Sequence, residues 1–252
     1  MKYLFFLVVP FFLIQNLYAK NPIETPTFDE ILKPIVGDKK YIFDDENIVL
    51  EVPNFADNPI QVPILVDAKK IKNAKQMILF ADLNPIPIIV DMNLKELLPL
   101  ISINIKVAQE TPIRALVLDD KNIWHIGSKN IKSFGGGCSV ASSASSGDDF
   151  AKLLGKTKID LFSNDGIIRI KSSIFHPMET GLMFGNSAFY INKIVLKADD
   201  KNISEIKTYS AISENPRFIF ETKTKAQNYK IEFFDIDGNQ FSAQTKWKIL
   251  YL

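Results

Sequence analysis

The feature that most constrains this chain is a succession of short, β-branched and aromatic runs cut by proline. NIVLEV, MILFA, PIPIIVDM, LISINIKVA, IRALVL and NIWHI follow one another from Tyr41 onward. Pro53, Pro59, Pro63, Pro85, Pro87 and Pro112 punctuate them, together with Asn and Asp. Many short strands separated by turn signals are the pattern of an antiparallel sandwich. The expected exception is a short helix over TPTFDEILKPIVGD. There Thr27 and Glu30 match a capping box, Ile31, Leu32 and Ile35 form an apolar face, and Gly37 ends the segment.

The strand pattern stops at Ser133 and resumes after Leu154. Between them, FGGGCSVASSASSGDDF has no helical or strand face and reads as a linker. About fifteen flexible residues span roughly 20 Å, which would present the tip clear of a domain surface. Asp148 to Leu154 is expected to form a turn or two of helix, with its acids at the favourable end. KIDLFS, GIIRIKSSIF, YINKIVLKA, NISEIKTYSAI, RFIFETK, YKIEFFDI and QFSAQTKWKILYL then predict a second sandwich. Its hairpin turns are expected at Asp199-Asp200-Lys201-Asn202 and Asp237-Gly238-Asn239. The fold class is therefore all-β: two immunoglobulin-like sandwiches, 20–132 and 155–252, flanking a Gly/Ser-rich arm at 133–154.

The chain opens MKYLFFLVVPFFLIQNLYAKN: one lysine, an apolar run, and a small residue, Ala19, after which the cut is expected. That is the form of a Sec-type signal peptide over residues 1–19, and it places the mature protein in the periplasm with no membrane span. Removing the leader takes away Lys2 and no acid, so Lys+Arg 30 against Asp+Glu 29 becomes an even balance. A neutral chain lacks the basic footprint that nucleic-acid binding needs.

Export to an oxidising compartment sharpens the meaning of a single cysteine. Cys138 has no internal disulfide partner, so it is a free reactive thiol or bonds to something else. It follows Gly135-Gly136-Gly137 and precedes Ser139, which argues against burial and for a segment that threads into narrow places. A hydrolytic thiol would need an imidazole base, and the chain offers His125 in a strand-like run and His176 before Pro177. Catalysis depends on fixed geometry, which a glycine tether supplies poorly. Two distant histidines and one cysteine do not make a zinc set, and no cofactor is expected. Asp235-Ile236-Asp237-Gly238-Asn239 has its glycine too early for a calcium loop and Lys246 where the closing acid would stand. His176-Pro177-Met178-Glu179-Thr180-Gly181 reads on physics alone as a tight connection between strands.

Together these strings resemble the SoxY and SoxZ proteins, the sulfur-carrier pair of bacterial sulfur oxidation, joined in one chain. The first half is similar to SoxY in DLNPIP (82–87), in QETPIRALV (109–117) and in the glycine-flanked cysteine. The second half is similar to SoxZ in SSIFHPMETG (172–181), FYINKIVLKADDKNISE and SENPRFIF (213–220). The resemblance implies a carrier that is not itself an enzyme. A thiosulfate-derived group would be conjugated to Cys138 and shown to a cytochrome-type loading enzyme, a sulfate-releasing hydrolase and a sulfane dehydrogenase. It also implies that His176 to Gly181 touch a partner. Ser139 and Val140 stand where SoxY has trailing glycines, and the chain continues, so the arm is a loop held at both ends. A Gly-Cys-Ser arm in a fused chain also resembles carriers associated with quinoprotein dehydrogenases. An accessory binding module of such a dehydrogenase is the alternative.

Overall fold

The computed structural model describes residues 20–143 and 149–246. The expected signal segment, residues 144–148 of the arm and the end of the last expected strand, 247–252, lie outside the described residues.

Fifteen strands form two sheets among the described residues. The larger runs β1 (Tyr41–Phe43), β8 (Trp124–Ile131), β7 (Thr111–Leu118), β4 (Gln76–Ala81), β5 (Ile88–Asn93), β12 (Lys201–Thr208), β11 (Ile191–Ala198), β14 (Asn228–Asp235), β15 (Gln240–Lys246). The smaller runs β2 (Val49–Glu51), β3 (Val62–Asp67), β6 (Leu97–Ile105), β13 (Arg217–Thr222), β10 (Ile167–Ile174), β9 (Thr157–Asn164). Each half contributes strands to both sheets, which gives the two expected sandwiches.

The two sandwiches are not beads on a tether. β5 pairs antiparallel with β12, setting Met92 opposite Ile206, and β6 pairs with β13, setting Ile101 opposite Phe220. Both sheets therefore run across the junction. One buried cluster follows them, from Ile64, Leu79 and Ile103 in the first half to Ile194, Phe220 and Phe233 in the second. Edge pairing satisfies backbone groups that either sandwich alone would leave exposed.

The helix forms as α1 (Phe28–Val36), burying Phe28, Leu32 and Val36 against the outer face of the larger sheet. This explains why β7 is buried at every position. Ile113, Ala115 and Val117 point into the main core, while Leu116 and Leu118 meet the helix. The expected capping box does not form. Thr27 takes a helical backbone angle that aims its hydroxyl away from the first turn, and the hydroxyl donates to the Asp82 carbonyl at 2.6 Å. Gly37 ends the helix as expected, its N–H donating to the Lys33 carbonyl. Residues Phe150–Leu153 form the short helix α2 behind the arm.

The hairpins sit where the turn residues place them. Asp199 and Asp200 both adopt positive φ, 44° and 64°, the geometry of a tight two-residue turn between β11 and β12. The Asp235 carboxylate accepts from the Asp237 and Asn239 amides, so the acidic string is consumed as a turn.

Candidate functional site

Leaving β8, the chain crosses the seam between the two halves. Cys138 lies in a single 3₁₀ turn, Gly137–Ser139, with 0% of its surface exposed. The expectation of a thiol held clear of the surface is overturned, and the glycines are the reason. The Gly136 N–H donates to the Ala108 carbonyl at 3.0 Å and the Gly137 N–H to the Val107 carbonyl at 3.1 Å. A Cβ on Gly137 would fall 2.1 Å from the Pro59 carbonyl oxygen and 2.7 Å from that of Val107; one on Gly135 would fall 2.5 Å from that of Ala108. The glycines lack side chains so that the arm can lie flat on the backbone just beyond β6.

The second half closes over it. The Thr180 hydroxyl donates to the Cys138 carbonyl at 2.8 Å. The Glu179 carboxylate accepts from the Ser142 N–H at 2.9 Å, and Glu214 accepts from the hydroxyls of Ser142 and Ser143. Cys138 and its flanks are thus held by carbonyls of one half and by side chains of the other.

Lys106, the residue after β6, is the charged centre of this seam. It is 4% exposed, and its ammonium donates to the carbonyls of Met178 and Ser210. Burial lowers its pKa to about 8, against the upward pull of Cys138, Glu179 and Glu214. Burial in turn pushes the Cys138 thiol up to about 11, with Lys106 pulling it the other way. Desolvation outweighs the cation, so the docked residue is a neutral, poorly nucleophilic thiol.

The strings singled out in the sequence converge here. Asn84 of DLNPIP accepts from the Ala108 N–H at 2.9 Å and donates to the Lys106 carbonyl at 2.8 Å, bracing the segment on which the arm lies. Its neighbour Asp82 is fully buried against Arg114 of QETPIRALV at 2.9 Å. Arg114 also reaches Ser128, Asn21 and the Ile23 carbonyl, pinning the N-terminal segment. Asn215 of SENPRFIF accepts from the His176 N–H, and its own N–H donates to the His176 carbonyl at 2.8 Å.

The SoxZ-like string is placed differently from expectation. His176, Pro177, Met178, Glu179 and Thr180 are buried, and Glu179 and Thr180 hold the chain's own arm, which turns these side chains inward and away from the surface an outside partner would touch. The string's exposed residue is Gly181, followed by exposed Leu182, Met183 and Phe184. His176 Nδ1 accepts from the Met178 N–H at 3.2 Å, and Nε2 lies 3.6 Å from Asp235 Oδ2, beyond hydrogen-bond length. Burial lowers the His176 pKa to about 4, outweighing the upward pull of Asp235. His125 is engaged by Asp44 at 2.6 Å and Asp119 at 3.4 Å on β8. His125 and the Nδ1 of His176 direct their hydrogen bonds at groups other than Cys138. Among the described residues, no cluster of three or more His, Cys, Asp and Glu is placed to hold a metal ion. No helix among them is long and apolar enough to cross a membrane.

Two family models match the sequence, in consecutive blocks. Residues 32–138 match the sulfur oxidation protein SoxY, a match that ends on Cys138, and residues 160–246 match the sulphur oxidation protein SoxZ. Comparison with curated proteins finds no match. Among solved structures, the sulfur carrier protein SoxY from Chlorobium limicola f thiosulfatophilum is similar at 17% identity, over 42% of this chain and 96% of that one, with a TM-score of 0.38.

Proposed function

The chain belongs to the SoxY and SoxZ families of sulfur-oxidation proteins, one domain of each fused in a single polypeptide, and we propose that it is a covalent sulfur carrier whose attachment residue is Cys138. The observation that carries the proposal is where this cysteine lies. There the SoxY-like strings (Asn84, and the segment Lys106–Ala108 it braces) and the SoxZ-like strings (Glu179, Thr180, Glu214) act on a common segment. A fold that brings backbone carbonyls of one half and side chains of the other to one thiol segment is organised around that thiol.

Loading with thiosulfate joins the Cys138 sulfur to the outer sulfur of thiosulfate. The thiol proton is released and two electrons pass to an acceptor, which a cytochrome-type partner would supply. The product, Cys138–S–S–SO₃⁻, is the group that a sulfate-releasing hydrolase and a sulfane dehydrogenase would then act on. The short apolar leader of residues 1–19 supports Sec-type export and work in the periplasm. Tethering the intermediate keeps it at high effective concentration between partners.

The test is thiosulfate loading in the presence of the cytochrome-type enzyme, read by intact mass. Wild type gains a reductant-sensitive thiosulfate increment, and Cys138→Ala gains none while keeping its fold. Equal labelling of the two would remove Cys138 from the role. The accessory-module reading draws on Leu182, Met183 and Phe184, which are 46%, 43% and 103% exposed beside the Thr180 clamp. A quinoprotein dehydrogenase retained equally by wild type and Cys138→Ser would favour that reading.

A further inference from the structure

The seam fits the arm closely at Gly135, Gly137 and Cys138. Cys138 has no exposed surface, and the backbone before it is pinned at Gly136 and Gly137 by two hydrogen bonds. At Gly137 even one added carbon would collide with the backbone of Pro59 and Val107. Thr180 holds the Cys138 carbonyl from the other side. A thiosulfate-derived group adds five heavy atoms to the sulfur, and a close-packed interior has no room for them without displacement. The strands beneath are core β-structure; the arm is held by a handful of bonds and is the part that yields. Lys106 would attract an anionic group, but its ammonium already donates to the Met178 and Ser210 carbonyls, which would have to be given up.

We infer that the docked position accepts the unmodified thiol alone, so that attachment of a sulfur group to Cys138 releases the arm from the seam. The inference deepens the carrier reading and rests on it. The empty carrier hides its thiol, and the loaded carrier displays its cargo. Presentation to a consuming enzyme then follows from the chemistry of loading, with no separate signal.

The amide protons of Gly136 and Gly137 report docking directly, because they bond the carbonyls of Ala108 and Val107. Cys138 is loaded chemically with tetrathionate. The thiolate attacks a central sulfur, a thiosulfate ion leaves, and Cys138–S–S–SO₃⁻ remains, the reagent being the oxidant. Hydrogen exchange at the two glycines should accelerate at least tenfold on loading and return to its starting rate after reduction. Two variants make the same comparison without reagents. Cys138→Ser, near in size to the thiol, should keep the slow exchange, and Cys138→Phe should lose it. Slow exchange in the loaded protein or in Cys138→Phe would overturn the inference and leave the carrier reading intact. Failure of the carrier reading appears elsewhere, as bare Cys138 after enzymatic loading.

Discussion

Gly137→Ala separates the two properties that a glycine beside a reactive cysteine can have, flexibility and thinness. The new Cβ would stand 2.1 Å from the Pro59 carbonyl oxygen and 2.7 Å from the Pro59 carbon and the Val107 oxygen, all backbone atoms of the platform. Real Cβ contacts do not come so close, and the platform is fixed by Asn84 and by β6, so the arm must lift. Lifting breaks the Gly136 and Gly137 amide bonds and the Thr180 bond to Cys138. At about 1 kcal/mol each these are worth roughly 3 kcal/mol, a factor of about a hundred in the docked population. The ordering of the arm on docking offsets part of this, so the expected effect lies between about tenfold and a hundredfold. The assay is the iodoacetamide rate at Cys138 by timed intact mass, where wild type reacts only through rare opening. Gly137→Ala should react faster by that factor, and its thiol should titrate near the ordinary value of 9 instead of about 11. Gly137→Ala reacting at the wild-type rate would refute the argument that thinness is what the glycine supplies.

Arg114→Met leaves the Asp82 carboxylate buried without its partner, both side chains being 0% exposed, and should cost about 3–5 kcal/mol in urea unfolding. A loss under about 1 kcal/mol would mean that Asp82 finds another partner. His176 is held neutral down to about pH 4 in the folded chain, against 6.5 unfolded. As pH falls from 6.5 to 4 the unfolded chain binds a proton that the folded one does not, so stability drops across this window, by about 3 kcal/mol at most. His176→Gln should show a correspondingly shallower loss in urea midpoint between pH 7 and pH 4.5; parallel profiles would contradict the assignment.

Much of the fold was legible because hydrophobic period and turn residues are local signals. The Asp199-Asp200 hairpin and the strand at Tyr229, Ile231 and Phe233 follow from neighbouring residues alone, and all three of those side chains are 0% exposed. β3 was hidden because Pro63 interrupts VPILVD. The proline is tolerated there because β2 pairs only with Leu65–Asp67, leaving β3 an edge at Pro63. The joining of the sheets through β5–β12 and β6–β13 was not legible, since edge pairing between distant strands leaves no local pattern. For the site, the lone cysteine and the SoxZ-like string were found, but their relation was not. Glycine serves both flexibility and close approach, and only the placement of Pro59, Val107 and Ala108 tells which. In the sequence Lys106 is one polar residue among several in LISINIKVA, with Ser102 and Asn104 before it and Val107 after it. A lysine directly following the apolar run of β6 was the signal available.

The most direct test of the account is the intact mass of the protein isolated from its own cells growing on reduced sulfur, with and without reductant. The account predicts a reductant-sensitive, sulfur-containing increment that maps to Cys138. A bare thiol on every molecule, under conditions where sulfur is being oxidised, would contradict it.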